Sequence, residues 1–463
     1  MANKEDKKTV NPLKAPQGTK DLLPSESYKW QFIEKVLLEV ATLFGYKELR
    51  TPTFENINLF CRGVGDTTDV VQKEMYEVKA QKSDELYALK PEGTAGAVRC
   101  AIEKGLLNDA LPLKVCYITS CFRHERAQAG RFREFHQFGC EMFGAGGACA
   151  DADVISIVWH IFKMLGLLEN SQIKLNINSI GCKDCREEYY KALRNYFSEY
   201  KDKLCGTCLE RFEKNPMRIL DCKSPICQEV AKNAPVITDY LCDKCKVHFE
   251  NVKERLNTLE IPFVINTKIV RGLDYYTKTV FEFITEIPGV QGTVCAGGRY
   301  DGLVKVLGGN DTPALGFAMG LERILILMDT LKINIPSPQI CDIYIGSMGD
   351  KANIKACEIA TKMRDEGFFA ECDLMDRSVK AQMKYANKIN ARYSLIIGEN
   401  ELLSGKAILK DMKNKDIEPR EIQFEKELTD ILYDAMLSRQ ADEIANQIGS
   451  DAFSKIMSME KDK

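Results

Sequence analysis

Val115-Cys116-Tyr117-Ile118-Thr119-Ser120, a charged loop, and then Phe132 to Cys140 read as the two arms of a long hairpin. Alternate residues of a strand share a face, so Arg131, Arg133, Gln137 and Glu141 should project together while Phe132, His136, Phe138 and Cys140 point the other way. Arg123 enters the first face from the opposite arm. Guanidiniums, an amide and a carboxylate on one sheet face can hold a phosphate and a polar zwitterion together, because the planar fork of arginine binds phosphate bidentately and keeps its charge. Periodicity alone leaves a competing reading, the solvated face of an antiparallel sheet.

Before the hairpin, residues 1–14 are polar, lysine-rich and without periodicity, the pattern of a disordered tail. Trp30, Ile33, Val36, Leu37, Val40, Leu43 and Phe44 follow helical spacing, which predicts an amphipathic helix from Ser25 to Phe44. Lys47 to Phe54, interrupted by Pro52, suits an edge strand or a subunit interface. After the hairpin, a stretch from about 180 to 250 is rich in cysteine, lysine and glutamate and reads as an inserted helical module. Strand patterns resume at Phe263, Val280 and Thr293. Two prolines, Pro336 and Pro338, mark a boundary, beyond which strands at Ile343 and Ser394 alternate with helices, the pattern of a small α/β domain. The expected organisation is a tail at 1–14, an α+β main domain over 15–335 carrying the insert, an α/β domain over 340–430, and a helical tail over 431–463.

A length of 463 residues allows two to four domains, and 45% hydrophobic with 28% charged residues excludes wholesale disorder. Lys and Arg total 64 against 67 acids, so the net charge of −3 argues against binding nucleic acid by bulk charge, a local basic groove aside. The first residues, Met1 to Lys8, lack the apolar core of a secretory signal, and the longest apolar run, Ile324 to Met328, is too short to span a bilayer. A cytosolic protein with no membrane partner is expected, and with it eighteen cysteines that serve as thiols or metal ligands rather than disulfides.

Further segments place arginines and phenols beside glycines, where backbone can approach a ligand: Arg271 to Tyr276, Ala296-Gly297-Gly298-Arg299-Tyr300 and Gly316 to Arg323. Coming after Gly18-Thr19-Lys20-Asp21, Pro91-Glu92-Gly93-Thr94 and Phe122-Arg123-His124-Glu125-Arg126 along the chain, they complete an ordered set that closely resembles the bacterial histidyl-tRNA synthetases, a family of class II aminoacyl-tRNA synthetases. The resemblance covers roughly 15 to 430. Phe122 to Arg126 and Gly320 to Arg323 look like class II motifs two and three, and the segments at Arg271 and Ala296 like the two histidine-specific motifs.

The resemblance implies a class II antiparallel sheet with flanking helices, a C-terminal anticodon-binding domain and a homodimer. Histidine, ATP with Mg2+ and histidine tRNA would be the substrates. Arg123, Arg131 and Arg323 would hold ATP phosphates. Glu92 and Thr94 would take the α-ammonium of histidine with Gln137 nearby, Glu141, Tyr276 and Tyr300 would read the imidazole, and Tyr275 would belong to the same histidine site. Arg271 would lie over the α-phosphate and the histidine carboxylate. Arg126 and Gln128 would meet the acceptor end of the tRNA, in a loop where Ala127 stands in place of the family's usual proline. An ionised carboxylate needs no general base, in keeping with only four histidines in the chain. Hydrogen bonds to both ring nitrogens would reject other amino acids, so no editing domain is expected.

The cysteines are what the family explains least. Cys182/Cys185, Cys205/Cys208 and Cys242/Cys245 have zinc-knuckle spacing, Cys222/Cys227 a longer gap, and nineteen residues separate Cys185 from Cys205. Eight ligands could make two tetrahedral structural zinc sites, with pairing open; buried free thiols are the alternative. Such an insert, short of a large core, would be folded by its metal. Two rivals remain. One is a synthetase-like, histidine-binding regulatory subunit of a phosphoribosyltransferase, argued against by Arg123, Arg131, Arg271, Arg323 and the domain after Pro338. The other is a non-catalytic zinc module, which leaves the hairpin unexplained. Asp376 to Met383 resembles a segment of the family's anticodon domain, whose lysines and arginines would contact phosphates.

Overall fold

The computed structural model describes residues 13–65, 68–82, 84–125, 130–168, 173–269, 275–287, 292–338, 340–414 and 416–448, the last helix with side chains to 439. Arg126, Gln128 and Arg271, residues 1–12 of the expected tail and everything after 448 therefore lie outside the described residues. The chain divides at Pro336 into two compact units.

The strands of the first unit are β1 (Lys47–Glu48), β2 (Phe54–Asn56), β3 (Glu77–Lys79), β4 (Leu86–Leu89), β5 (Leu113–Phe122), β6 (Glu134–Phe143), β7 (Lys174–Ser179), β8 (Phe263–Ile265), β9 (Thr277–Ile284), β10 (Thr293–Arg299) and β11 (Ala314–Gly320). Eight of them form one sheet in the order β1-β5-β6-β11-β10-β9-β7-β8, and β2-β4-β3 form a small separate one. The six central strands run antiparallel, whereas β1 on β5 and β8 on β7 are parallel pairs at the two edges. The class II expectation of an antiparallel sheet holds for the centre and is corrected at both edges.

The helices of this unit are α1 (Pro24–Leu43), α2 (Ile57–Val64), α3 (Thr94–Glu103), α4 (Ala148–Met164), α5 (Lys183–Ser198), α6 (Gly206–Lys214), α7 (Pro225–Ala231), α8 (Asp243–Thr258), α9 (Leu303–Val306) and α10 (Leu321–Thr330). Helix α1 buries Ile33, Leu37 and Val40, one turn apart, and meets Val154 and Val158 of α4, Val252 and Leu256 of α8, and Ile324 and Leu327 of α10 in one core. Phe138, Cys140 and Met142 of β6 enter that core from the sheet, so Gln137 and Glu141 are left for the other face.

Between β7 and β8 the chain makes the insert. Helices α5, α6 and α7 enclose an apolar cluster of their own, with Tyr189, Leu193, Phe197, Phe212, Ile219 and Val230, so the insert is less short of a core than its composition suggests. Helix α8 starts in the insert at Cys242 and ends in the main core, which puts the expected border near 250 in the middle of a helix.

The second unit holds β12 (Ile343–Ser347), β13 (Ala370–Cys372), β14 (Tyr393–Ile397), β15 (Lys406–Asp411) and β16 (Arg420–Gln423) in the order β13-β12-β14-β15-β16, with α11 (Asp350–Asp365), α12 (Val379–Lys388), α13 (Glu399–Ser404) and α14 (Leu428–Ile448). The first three of these sheet positions are parallel and the last two antiparallel. Leu428 and Leu432 are buried in this unit's core, so α14 begins as part of the domain rather than as a tail after 430. Among the described residues no helix is long and apolar enough to cross a membrane.

Candidate active site

A cavity of about 270 Å³ opens on the sheet face opposite the helical core, over β6, β10 and β11. At its dry end stands Glu141, 1% exposed. Tyr117, on the facing arm of the hairpin, donates its hydroxyl to Glu141 Oε1 at 2.9 Å, and Tyr300 donates to Oε2. Burial lifts the Glu141 carboxyl to about 8, although the hydrogen bonds from Tyr300, Thr94 and Tyr117 pull the other way. Burial also keeps the phenols of Tyr117, Tyr275 and Tyr300 well above the usual tyrosine range, so they remain donors. Two glycines make room. A Cβ at Gly316 of β11 would lie 1.9 Å from Glu141 Oε2, and one at Gly139 would lie 2.3 Å from the Tyr117 ring. Tyr275 leans against Tyr276 and Tyr300 with ring centroids 4.8 and 5.5 Å apart.

Glu92 sits beside this cage, buried. Its two oxygens accept the amide N–H of Thr94 at 3.0 Å and of Ala95 at 2.7 Å, in the first turn of α3, where the helix dipole favours negative charge. Burial still raises its pKa. Gln137 Oε1 accepts the Gly93 amide at 3.3 Å, so its NH2 group can serve the cavity.

The other end is cationic. Arg123 donates Nε to the Pro91 carbonyl at 2.9 Å and lies over the Phe135 ring at 5.3 Å, while Arg131 Nη1 reaches Glu125 Oε2 at 3.1 Å. Arg323, in the first turn of α10, donates Nη1 to the Thr293 carbonyl at 2.7 Å and Nε to the Gly130 carbonyl at 3.3 Å. Its pKa is lowered, by burial first and then by Arg131, as expected where like charges are gathered before an anion arrives.

Of the residues singled out from sequence, Glu92, Thr94, Arg123, Arg131, Gln137, Glu141, Tyr275, Tyr276, Tyr300 and Arg323 all line this cavity. Two facing assignments are corrected. Phe132 lines the cavity and Arg133 turns away from it, donating to the backbone carbonyls of Glu125 at 3.4 Å and Gln17 at 3.3 Å. The pleat begins only at Glu134, so alternation has no meaning before it. Tyr117, Glu125 and Phe135 were not predicted. Tyr117 pairs across the hairpin with Gly139, a register that a long loop conceals, and Glu125 is the one carboxylate inside an arginine-rich motif. His136 faces away from the cavity, as its position in the pattern requires, and bonds Glu322 through Nδ1 at 3.0 Å.

The family model described as histidyl-tRNA synthetase matches residues 18–194 and 222–324. A histidine–tRNA ligase of Clostridium novyi is 54% identical over 402 residues, 87% of this chain and 95% of that relative. The chain belongs to the histidyl-tRNA synthetase family. Another family member, from Acetivibrio thermocellus, is also 54% identical, over 86% of this chain and 95% of its own. The crystal structure of apo histidyl-tRNA synthetase from S. aureus is 36% identical, with a TM-score of 0.77, and covers 91% of this chain and all of its own. A Bacillus halodurans structure titled as an ATP phosphoribosyltransferase regulatory subunit/histidyl-tRNA synthetase shares the fold at 24% identity and a TM-score of 0.58, covering 84% of this chain and 99% of its own. A model described as anticodon binding domain matches 342–430 of the second unit. There Arg377 is held by Asp373 and stacks on Tyr385 at 4.2 Å, and the buried Gln382 bonds the Arg377 and Ser347 carbonyls, so this segment shapes the end of β12.

The histidyl-tRNA synthetase match skips 195–221, the stretch that carries Cys205 and Cys208. The structure settles which cysteines meet: Cys182, Cys185, Cys242 and Cys245 form one group, Cys205, Cys208, Cys222 and Cys227 another, with the sulfurs of each within 4.8 Å of one another. Cys182 is 3.6 Å from Cys185 and 4.0 Å from Cys242, and Cys205 is 3.8 Å from Cys222. Sulfurs about 2.3 Å from a tetrahedral zinc stand about 3.8 Å apart, whereas a disulfide needs about 2.05 Å. The donor set fits a four-thiolate metal site. Backbone amides of Cys242 and Ser224 donate to Cys185 and Cys222 sulfurs at 3.1 and 3.4 Å, the bonds a thiolate ligand receives from its surroundings.

Proposed function

We propose that the cavity joins L-histidine to ATP as histidyl-adenylate, releasing diphosphate, and then passes the histidyl group to the 3′ end of histidine tRNA, releasing AMP. The observation that carries this reading is the pairing, within one cavity, of a buried carboxylate held by phenols with a cluster of three guanidiniums, in a chain of this family.

The histidine carboxylate attacks the α-phosphorus of ATP, which enters as its Mg2+ complex. Two negatively charged groups must therefore be held together, and charge spreads onto the phosphate oxygens in the transition state. Arg123, Arg131 and Arg323, fixed by backbone carbonyls, a ring and Glu125, do this with little reorganisation. Glu125 also limits their mutual repulsion before ATP arrives. Arg271 is assigned to the α-phosphate and the histidine carboxylate. At the dry end a neutral imidazole offers one N–H and one bare nitrogen, which Glu141 and the Tyr276 and Tyr300 hydroxyls can match. Glu92 keeps lone pairs beyond those given to α3, and with Thr94 and Gln137 it takes the ammonium. In the second step the terminal ribose hydroxyl of the tRNA attacks the adenylate carbonyl, with Arg126 and Gln128 assigned to the acceptor end.

The second unit is assigned to the anticodon arm, the protein to a homodimer in the cytoplasm, and both four-cysteine groups to structural zinc. ATP–pyrophosphate exchange with each of the twenty amino acids, followed by charging of total tRNA, tests the central claim. Exchange with histidine alone and charging of histidine tRNA are expected. Histidine binding without exchange would instead support the regulatory subunit. Light scattering checks the dimer.

A further inference from the structure

We propose that the cysteine group at the base of the insert, Cys182, Cys185, Cys242 and Cys245, holds a zinc ion that positions the tyrosines at the dry end of the cavity, while the inner group has no such part in the cavity. The proposal rests on the reading of that end as the histidine site.

The geometry of the base group ties two helices that reach the cavity separately. Cys182 precedes α5, and Cys185 and Arg186 lie in its first turn. Arg186 Nη1 donates to the Tyr276 carbonyl at 2.8 Å. Gly181, the residue before Cys182, accepts from the Lys278 amide at 2.8 Å and from the Thr277 hydroxyl at 3.1 Å, and the Ile180 amide bonds the Lys278 carbonyl at 2.8 Å. The start of β9, where Tyr275 and Tyr276 enter the cavity, is thus stitched to the backbone beside one metal ligand.

The second route runs through α8. Cys242 precedes this helix, Cys245 lies in its first turn, and His248 follows one turn later. His248 Nε2 packs 3.3 Å from Asp151 Oδ2, an ion-pair distance without hydrogen-bond alignment. Asp151 is 2% exposed and takes Arg299 through Nε at 3.0 and 2.9 Å and Nη2 at 2.7 Å. Arg299 is fully buried, and the next residue is Tyr300, which donates to Glu141. A metal that fixes Cys242 and Cys245 against Cys182 and Cys185 therefore fixes α8 against α5. It thereby fixes the backbone of Tyr276 relative to Tyr300, the two phenols assigned to the imidazole.

The inner group has a different reach. Its amide contacts, Cys205 to Cys227 at 3.3 Å and Ser224 to Cys222 at 3.4 Å, close within the insert, and Cys208, Cys222 and Cys227 belong to the insert's own apolar cluster.

The test uses the full-length protein. Metal analysis is expected to give two zinc ions per chain. The double variant Cys242→Ser/Cys245→Ser should lose one of them and bind histidine at least tenfold more weakly by calorimetry, with KM for ATP changed less than twofold. Cys222→Ser/Cys227→Ser should lose one zinc and leave both constants unchanged. Should the base variant fail to fold, Arg186→Met keeps every thiol, and is expected to retain two zinc ions and raise KM for histidine alone. In cobalt-substituted protein, adding histidine should shift the visible bands of one of the two sites. Iron in place of zinc, no metal in the wild type even after incubation with zinc, equal effects of the two double variants, or an unchanged histidine constant in Arg186→Met would each overturn the proposal. A wild type with two zinc ions that exchanges with an amino acid other than histidine would instead defeat the functional reading on which it rests.

Discussion

At one end of the cavity Glu141 is 1% exposed with both oxygens taken by phenols, whereas at the other Arg123 and Arg131 leave 22% and 32% of their side chains open to water. The two ends meet different physical demands. Choosing one amino acid needs a dry cage in which every polar group has a partner, because an ill-fitting ligand then leaves a buried group unpaired. Holding a triphosphate needs charge in quantity, which survives some exposure as long as the guanidiniums are fixed. If that division is right, damage to one end should spare the other.

Arg323→Met gives the largest expected effect. Losing one preorganised charge should lower the exchange rate by about 10²- to 10³-fold while calorimetric histidine affinity stays put. A matching loss of histidine affinity would mean that the ends are one site. Glu141→Gln should raise KM for histidine about 10- to 100-fold, the cost of leaving a buried polar group without its partner, with KM for ATP steady in the same assay.

The pH dependence of stability sharpens the comparison further. Burial raises Glu141 from 4.5 to about 8, so between these values the native state keeps a proton that the unfolded chain has lost. Stability from this group must then fall as pH rises through that window. The melting temperature of Glu141→Gln should accordingly vary less than wild type between about pH 5 and 8; parallel curves would show the carboxylate already ionised in the free protein. Tyr117→Phe is expected to do least. Loss of one of the two phenol donors should cost about 1 kcal/mol, or roughly fivefold in KM for histidine. An effect as large as that of Glu141→Gln would make Tyr117 a reader of the imidazole rather than a support for its reader.

The sequence made part of this site legible for a definite reason. Gln137 and Glu141 lie inside a regular strand, so a period of two placed them on one face, and motif order supplied Glu92, Thr94, Tyr300 and Arg323 from distant segments. Phe132 and Arg133 lie before the pleat starts, and Tyr117 depends on a register set across an eleven-residue gap between β5 and β6, so neither could be read. The sheet's edges fall where the strand patterns at Lys47 and Phe263 put them, but their direction could not be read, for a similar reason. β1 and β8 are two and three residues long, too short to carry a pattern, and their parallel sense comes from tertiary pairing. For the cysteines, spacing gave the pairs but not their partners, which depend on how the insert closes: the first pair meets the last, and the middle pairs meet each other.

That closure bears on how such a chain can change over time. Cys182 and Cys242 are sixty positions apart in sequence and their sulfurs 4.0 Å apart in space. The chain leaves the sheet and returns to it through one narrow gate. Because the cost of closing a loop grows only with the logarithm of its length, whatever hangs beyond the gate can lengthen, shorten or be exchanged with little strain on the sheet. The family model's omission of 195–221 falls wholly on the far side of this gate.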